Sequence, residues 1–141
     1  MRLAAQCEEV AGVVLIDSAG AKPRRGIKYH LKVTLYKLGK KLGCKRLPKG
    51  SADYEALSGA MKGTFVNVVN EDSECDAAAI RVPTLVIWGS EDKDTPLYMC
   101  RRLHSLIKDS EVILLKGAGH FSYLERSEHC SRIIRVFGGS V

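Results

Sequence analysis

Two short loops carry the side chains of this chain best suited to moving a proton. One is Gly89-Ser90-Glu91-Asp92-Lys93-Asp94-Thr95-Pro96 and the other is Gly117-Ala118-Gly119-His120-Phe121. Imidazole is the side chain whose charge changes near neutral pH. A carboxylate bonded to one ring nitrogen fixes the tautomer, and the other nitrogen can then act as a base. Asp92 and His120 are the pair these loops offer, with Asp94 a weaker second acid. Either aspartate alone reads as a turn residue or helix cap, and a lone histidine as a solvated or packing residue. The two loops together point to chemistry. Glycines on both sides of Ala118 let the chain turn sharply and approach its neighbours closely beside His120.

Both loops follow short apolar runs that must position them. Thr84-Leu85-Val86-Ile87-Trp88 enters through Val82-Pro83 and closes at Gly89, and Glu111-Val112-Ile113-Leu114-Leu115 ends at Lys116-Gly117. A third run, Val10-Ala11-Gly12-Val13-Val14-Leu15-Ile16, stops at Asp17-Ser18-Ala19-Gly20. Runs apolar on both faces suit parallel strands covered on both sides. Helical periodicity lies between and after them. Leu3 to Glu9 reads as the tail of a helix. Ile27, Leu31, Leu35, Leu38 and Leu42 form one helical stripe. Ser51 to Asn70 reads as a second helical region broken near Gly59 or Gly63, Leu97 to Lys108 as a third, and Ser127-Glu128 to Phe137 as a closing helix. Helices alternating with parallel strands predict an α/β fold. Both reactive loops then fall at carboxyl ends of strands, on one rim of the sheet.

The chain has 141 residues, 45% of them hydrophobic and 27% charged, which fits one globular domain that buries about 70% of its unfolded surface. The run Val13–Ile16 is far too short to span a bilayer, and the first residues show no export signal, so the expected location is cytoplasmic. Five scattered cysteines (Cys7, Cys44, Cys75, Cys100, Cys130) without a C-x-x-C pair read as reduced thiols, neither a disulfide frame nor a zinc site. No histidine, cysteine or carboxylate spacing suggests a metal, and no cofactor is expected. Net charge is +6, yet Lys22 to Lys49 alone holds 11 basic and no acidic residues, leaving 11 basic against 16 acidic elsewhere. The surplus is local, so it does not make the whole protein a nucleic-acid binder.

The stretch Val82-Pro83-Thr84-Leu85-Val86-Ile87-Trp88-Gly89-Ser90-Glu91-Asp92, followed by Pro96, resembles the acid strand and loop of α/β-hydrolases. Lys116 to Glu125, with Gly-Ala-Gly-His at its centre, resembles their histidine loop. The strand ending Leu15-Ile16-Asp17-Ser18-Ala19-Gly20 is similar to the one after their nucleophile helix, and Met1-Arg2-Leu3-Ala4-Ala5-Gln6 resembles the far end of that helix. The resemblance implies a truncated α/β-hydrolase-like parallel sheet of about three strands, residues 1–141 forming one domain with 21–78 as a helical cap insertion. It assigns the catalytic acid to Asp92 and the base to His120 and implies a relative of ester and acyl hydrolases, in a family whose substrates range over esters, thioesters, amides, epoxides, haloalkanes and carbon–carbon bonds.

The family places its nucleophilic serine in a G-x-S-x-G turn ahead of the acid and the histidine. No such pentapeptide occurs here. The nearest partial match is Ile16-Asp17-Ser18-Ala19-Gly20, where β-branched Ile16 stands in place of the first glycine of a strained turn, and Ser18 is not expected to be a nucleophile. Without a nucleophile and an oxyanion hole, the Asp–His pair is expected to be a remnant, inactive by itself in the family's manner. Cys44 and Cys100 lie outside any strand-to-helix elbow and read as incidental thiols. His30, His104 and His129 read as surface or packing residues.

A different class of reading comes from the basic helix. Lys28 and Lys32 are four apart, as are Lys37, Lys41 and Lys45, beside the Ile27–Leu42 stripe, with Tyr29 and Tyr36 adding aromatic surface. Such a helix either packs as a cap with a solvated basic face, or lets Lys22–Lys49 bind an anionic membrane or a nucleic-acid backbone. The chain would then be a binding module, using this helix or a small-molecule cleft under the cap. Finally, a first strand lacking its family neighbour leaves an apolar edge, which predicts a homodimer joined through Val10–Ile16.

Overall fold

The computed structural model describes residues 1–24, 26–42, 57–69 and 73–141. The chain divides into two compact units, Met1–Lys22 with Asp72–Val141, and Pro23–Glu71.

The first unit is built on three parallel strands, β1 (Val13–Ile16), β2 (Thr84–Gly89) and β3 (Ser110–Leu115), in the order β1-β2-β3. Register runs Val13 to Thr84 and Ile16 to Ile87 on one side, and Thr84 to Ser110 through Gly89 to Leu115 on the other. Alternating side chains point to opposite faces of a strand, so each strand feeds two cores. Val13, Leu15, Val86, Trp88 and Val112 face one of them, and Val14, Ile16, Leu85, Ile87, Ile113 and Leu115 face the other.

Helices cover both faces. On the first lie α1 (Arg2–Gln6), α4 (Glu74–Ala79) and α5 (Leu97–Leu106), with Met99, Cys100 and Leu103 of α5 buried against the sheet. On the second lies α7 (Ser127–Gly138), whose Cys130, Ile133, Ile134 and Phe137 repeat at helical spacing. Glu74 ties the first face together: it receives the Arg102 guanidinium at 2.7 Å and the Lys22 backbone N–H at 3.1 Å.

The first strand is shorter than its apolar run. Pairing begins at Val13, whose N–H donates to the Pro83 carbonyl at 3.0 Å. Upstream of Pro83 the partner chain is still leaving α4, so residues 10–12 have no strand to pair with. The sequence reading missed α4 and the single turn α6 (Ser122–Glu125). It also ran α5 two residues too far, to Lys108, where the chain has left the helix at Ile107.

The second unit contains α2 (Ile27–Lys41) and α3 (Ala60–Val69). The apolar stripe of α2 is exposed along its length: Ile27 is 88% exposed, and Leu31, Leu35, Leu38 and Leu42 are each more than half exposed. Residues 43–56, which hold Cys44, Lys45, Lys49 and the start of the region read as helical from Ser51, lie outside the described residues. No helix among the described residues is long and apolar enough to cross a membrane.

Candidate active site

Parallel pairing of Gly89 with Leu115 ends β2 and β3 at the same level, which delivers both reactive loops to one rim. Backbone bonds then lock the loops together. The N–H of Ser90 donates to the Leu115 carbonyl at 3.1 Å, that of Glu91 to the Ala118 carbonyl at 2.9 Å, and that of Gly117 to the Ser90 hydroxyl at 2.8 Å. Gly117 takes φ +72°, a conformation that glycine adopts without strain, and so turns the chain toward His120.

Asp92 is 6% exposed and every acceptor position of its carboxylate is used. Oδ1 receives the backbone N–H groups of Asp94 and Thr95, both at 2.9 Å. Oδ2 receives the Thr95 hydroxyl at 2.6 Å and His120 Nδ1 at 2.9 Å. Burial pushes the Asp92 carboxyl up. The bonds from Thr95, His120 and the two backbone N–H groups outweigh it and hold the group below its ordinary 3.8. Asp92 is therefore ionised near neutral pH and can only accept, which places a proton on Nδ1; in the neutral tautomer so selected, Nε2 carries the lone pair. Nε2 has no hydrogen-bond partner among the described residues, and the His120 side chain is 32% exposed.

Asp94 is exposed and supplies only its backbone N–H, so the pair is formed by Asp92 and His120. Ligand atoms of Asp92, Asp94 and His120 lie within 4.8 Å of one another, the spacing of a metal cluster. Both Asp92 oxygens are already saturated by protein donors and His120 Nδ1 is one of those donors, so the set is arranged for hydrogen bonding.

Three residues at this rim escaped the sequence reading. Thr95 bridges the pair: its hydroxyl bonds Asp92, lies 3.2 Å from His120 Nδ1 and approaches the Asp17 carbonyl at 3.1 Å. Its own carbonyl is held by the indole N–H of fully buried Trp88 at 2.7 Å. Asp17, read only as the end of a strand, is 5% exposed. Its Oδ1 accepts the Gly89 N–H at 2.7 Å, and its Oδ2 accepts both the N–H and the hydroxyl of Ser122. Asp92 three residues before a threonine, a turn in which the carboxylate caps its own backbone, was a signal for Thr95. No local pattern announces Asp17 or Ser122.

No serine hydroxyl among the described residues is bonded to His120. Ser18 donates to the Ala19 carbonyl, Ser90 accepts from Gly117, and Ser122 is buried on Asp17. Cys100 is also buried, and burial pushes its thiol up to about 11. Of the other histidines, His104 bonds Ser110 at 2.9 Å. His129 lines a groove of about 560 Å³ at the opposite end of the strands, with Thr84, Glu111, Arg132 and Phe137. That groove is remote from the rim and contains neither Asp92 nor His120.

The family profile described as alpha/beta hydrolase fold matches residues 16–127, a span that includes both loops and the strands that end in them. The chain belongs to the α/β-hydrolase fold family. Among its relatives, the AB hydrolase superfamily protein YisY of Bacillus subtilis is 34% identical over 71 residues, covering 50% of this chain and 26% of the relative. The monoacylglycerol lipase ABHD6 of Mus musculus is 32% identical over 81 residues, covering 55% of this chain and 24% of that protein. Solved structures agree on the fold. A bacterial membrane phospholipase A superposes with a TM-score of 0.66 at 20% identity over 97% of this chain and 52% of its own. A serine hydrolase of carbazole degradation does so with 0.64 at 21% identity, over 99% and 58%. The α/β-hydrolase fold of this chain thus spans little more than half of these structures, and its matched stretches span about a quarter of the curated relatives.

Proposed function

We propose that this chain carries the acid–base part of an ester- or acyl-hydrolysing centre, with His120 as general base and Asp92 as the group that holds its tautomer and stabilises the imidazolium. The observation that supports it is the 2.9 Å bond from His120 Nδ1 to a buried, ionised Asp92, with Nε2 unpartnered among the described residues. Hydrolysis is also what the names of the lipase and hydrolase relatives state of those proteins. The sequence holds no G-x-S-x-G turn, and no serine among the described residues is bonded to His120. The chemistry that the Asp92–His120 pair supplies is then general-base attack of water. Nε2 takes a proton from water as its oxygen adds to the carbonyl, and the imidazolium returns that proton to the leaving-group oxygen as the C–O bond of the tetrahedral intermediate breaks. Acyl transfer through a serine would need a nucleophile and oxyanion donors from another segment.

The test is hydrolysis of p-nitrophenyl acetate after alkylation of exposed thiols such as Cys75. Slow turnover is expected, falling to the buffer blank in His120→Ala and sharply in Asp92→Asn, with no fluorophosphonate adduct on any serine. Rates unchanged in both variants would overturn the reading. An adduct at one serine that disappears in His120→Ala would show that the nucleophile lies within these residues.

A second reading, a binding module, is favoured by one observation: the α2 stripe flanked by lysines is exposed rather than packed. Apolar side chains bordered by basic ones and free of acidic residues match an anionic lipid surface. Sedimentation with phosphatidylserine vesicles is expected, weakened by salt. Lys37→Glu with Lys41→Glu should lower it by more than tenfold, since each basic residue near such a surface is worth about 1 kcal/mol. Equal binding to neutral vesicles, or preference for duplex DNA, would remove this reading.

A further inference from the structure

Beyond the Asp–His pair itself, the geometry points to Asp17 as a positioning residue that holds the acid loop and the histidine loop in register from the end of β1. One carboxylate reaches both loops at their roots. Oδ1 takes the N–H of Gly89, the last residue of β2, three positions before Asp92. Oδ2 takes the N–H of Ser122 at 3.0 Å and its hydroxyl at 2.5 Å, two positions after His120. The carbonyl of the same residue lies 3.1 Å from the Thr95 hydroxyl that completes the Asp92–His120 contact.

The backbone of Asp17 adds a second mark. Its φ is +42°, and it is the one non-glycine among the described residues with positive φ. That conformation costs free energy for a side chain and persists where the surroundings over-determine it. Here the ladder bond from the Asp17 N–H to the Ile87 carbonyl at 3.1 Å and the three carboxylate bonds do so. A residue that merely ended β1 would need neither the turn nor the charge. Ser122 is fully buried, so its N–H and hydroxyl have no water to replace Asp17.

The test uses Asp17→Gly and Asp17→Asn. Glycine tolerates φ +42°, so its effect isolates the loss of the carboxylate from any strain. Asparagine keeps one acceptor for Gly89 but turns an N–H₂ toward the Ser122 N–H, and so releases mainly the histidine loop. The readouts are the low-field Nδ1 proton of His120 and the carboxyl titration of Asp92, both by nuclear magnetic resonance. In folded Asp17→Gly the low-field proton is expected to broaden or vanish and the Asp92 midpoint to rise toward 3.8. Should Asp17→Gly fail to fold, Ser122→Ala removes a single bond of the brace and should broaden the same proton. Unchanged signals in folded Asp17→Gly, or in Ser122→Ala where the glycine variant does not fold, would overturn the inference. The inference deepens the reading of His120 as base, yet its readouts need no turnover. Absent ester hydrolysis with an intact low-field proton would remove the proposed function and leave the brace to be judged on its own.

Discussion

Gly89 and Gly119 meet so closely that a β-carbon on Gly89 would stand 2.1 Å from the Gly119 carbonyl oxygen and 2.5 Å from that of Ala118. The last residue of β2 is thus pressed against the backbone of the histidine loop, and no side-chain rotation can relieve an added methyl group. Gly89→Ala should destabilise the fold by about 3 kcal/mol, at the upper end of ordinary overpacking, because the obstacle is backbone. Urea unfolding measures this. A loss under about 0.5 kcal/mol would mean that the loops part easily.

Asp92 makes stability depend on acid. Its carboxyl is held below 3.8 in the folded chain, so the unfolded chain binds its proton first as pH falls. The stabilisation is fully present above 3.8 and is lost as pH drops through the folded value. Wild type should therefore exceed Asp92→Asn in unfolding free energy at pH 6, with the gap closing as pH falls below about 3.8. A gap that stays constant to the lowest pH at which both fold would contradict the bonding around Asp92.

How far the sequence revealed this site follows from the range of the interactions. Asp92 and His120 each sit in a loop whose type shows in its neighbours: an apolar run, then glycine, acid and proline, or glycines flanking an alanine before histidine. Three strands and two of the sheet-covering helices, α5 and α7, were readable for the same reason. Asp17 joins partners 72 and 105 positions away, and such a bond leaves no trace in local spacing. Thr95 lay within reach, since its bond to Asp92 spans three residues. The start of β1 depended on Pro83 of its neighbour, not on its own apolar residues.

Thiol chemistry separates the cysteines by depth. Burial pushes the thiols of Cys100 and Cys130 up, Cys100 to about 11, while Cys75 is exposed. The thiolate is the reactive form, so a disulfide reagent at pH 8 should label Cys75 in the native chain and leave Cys100 and Cys130 until the protein is unfolded. Fast native labelling of Cys100 would show that α5 opens from the sheet.

The last prediction concerns β1. In a parallel ladder the N–H and C=O of alternate residues point to the same neighbour. Val13 and Asp17 donate to Pro83 and Ile87, so the backbone groups of Val14 and Ile16 point away from β2. Among the described residues nothing pairs with that edge. We propose that a second copy does, joining two sheets through their β1 edges, because an unpaired, uncharged edge is prone to strand addition. Light scattering at micromolar concentration should give twice the chain mass. Val14→Pro removes an N–H that β2 does not use, so it should yield a folded chain of single mass. A single mass for the unaltered chain would sink the proposal, and a double mass retained by folded Val14→Pro would move the interface away from this edge.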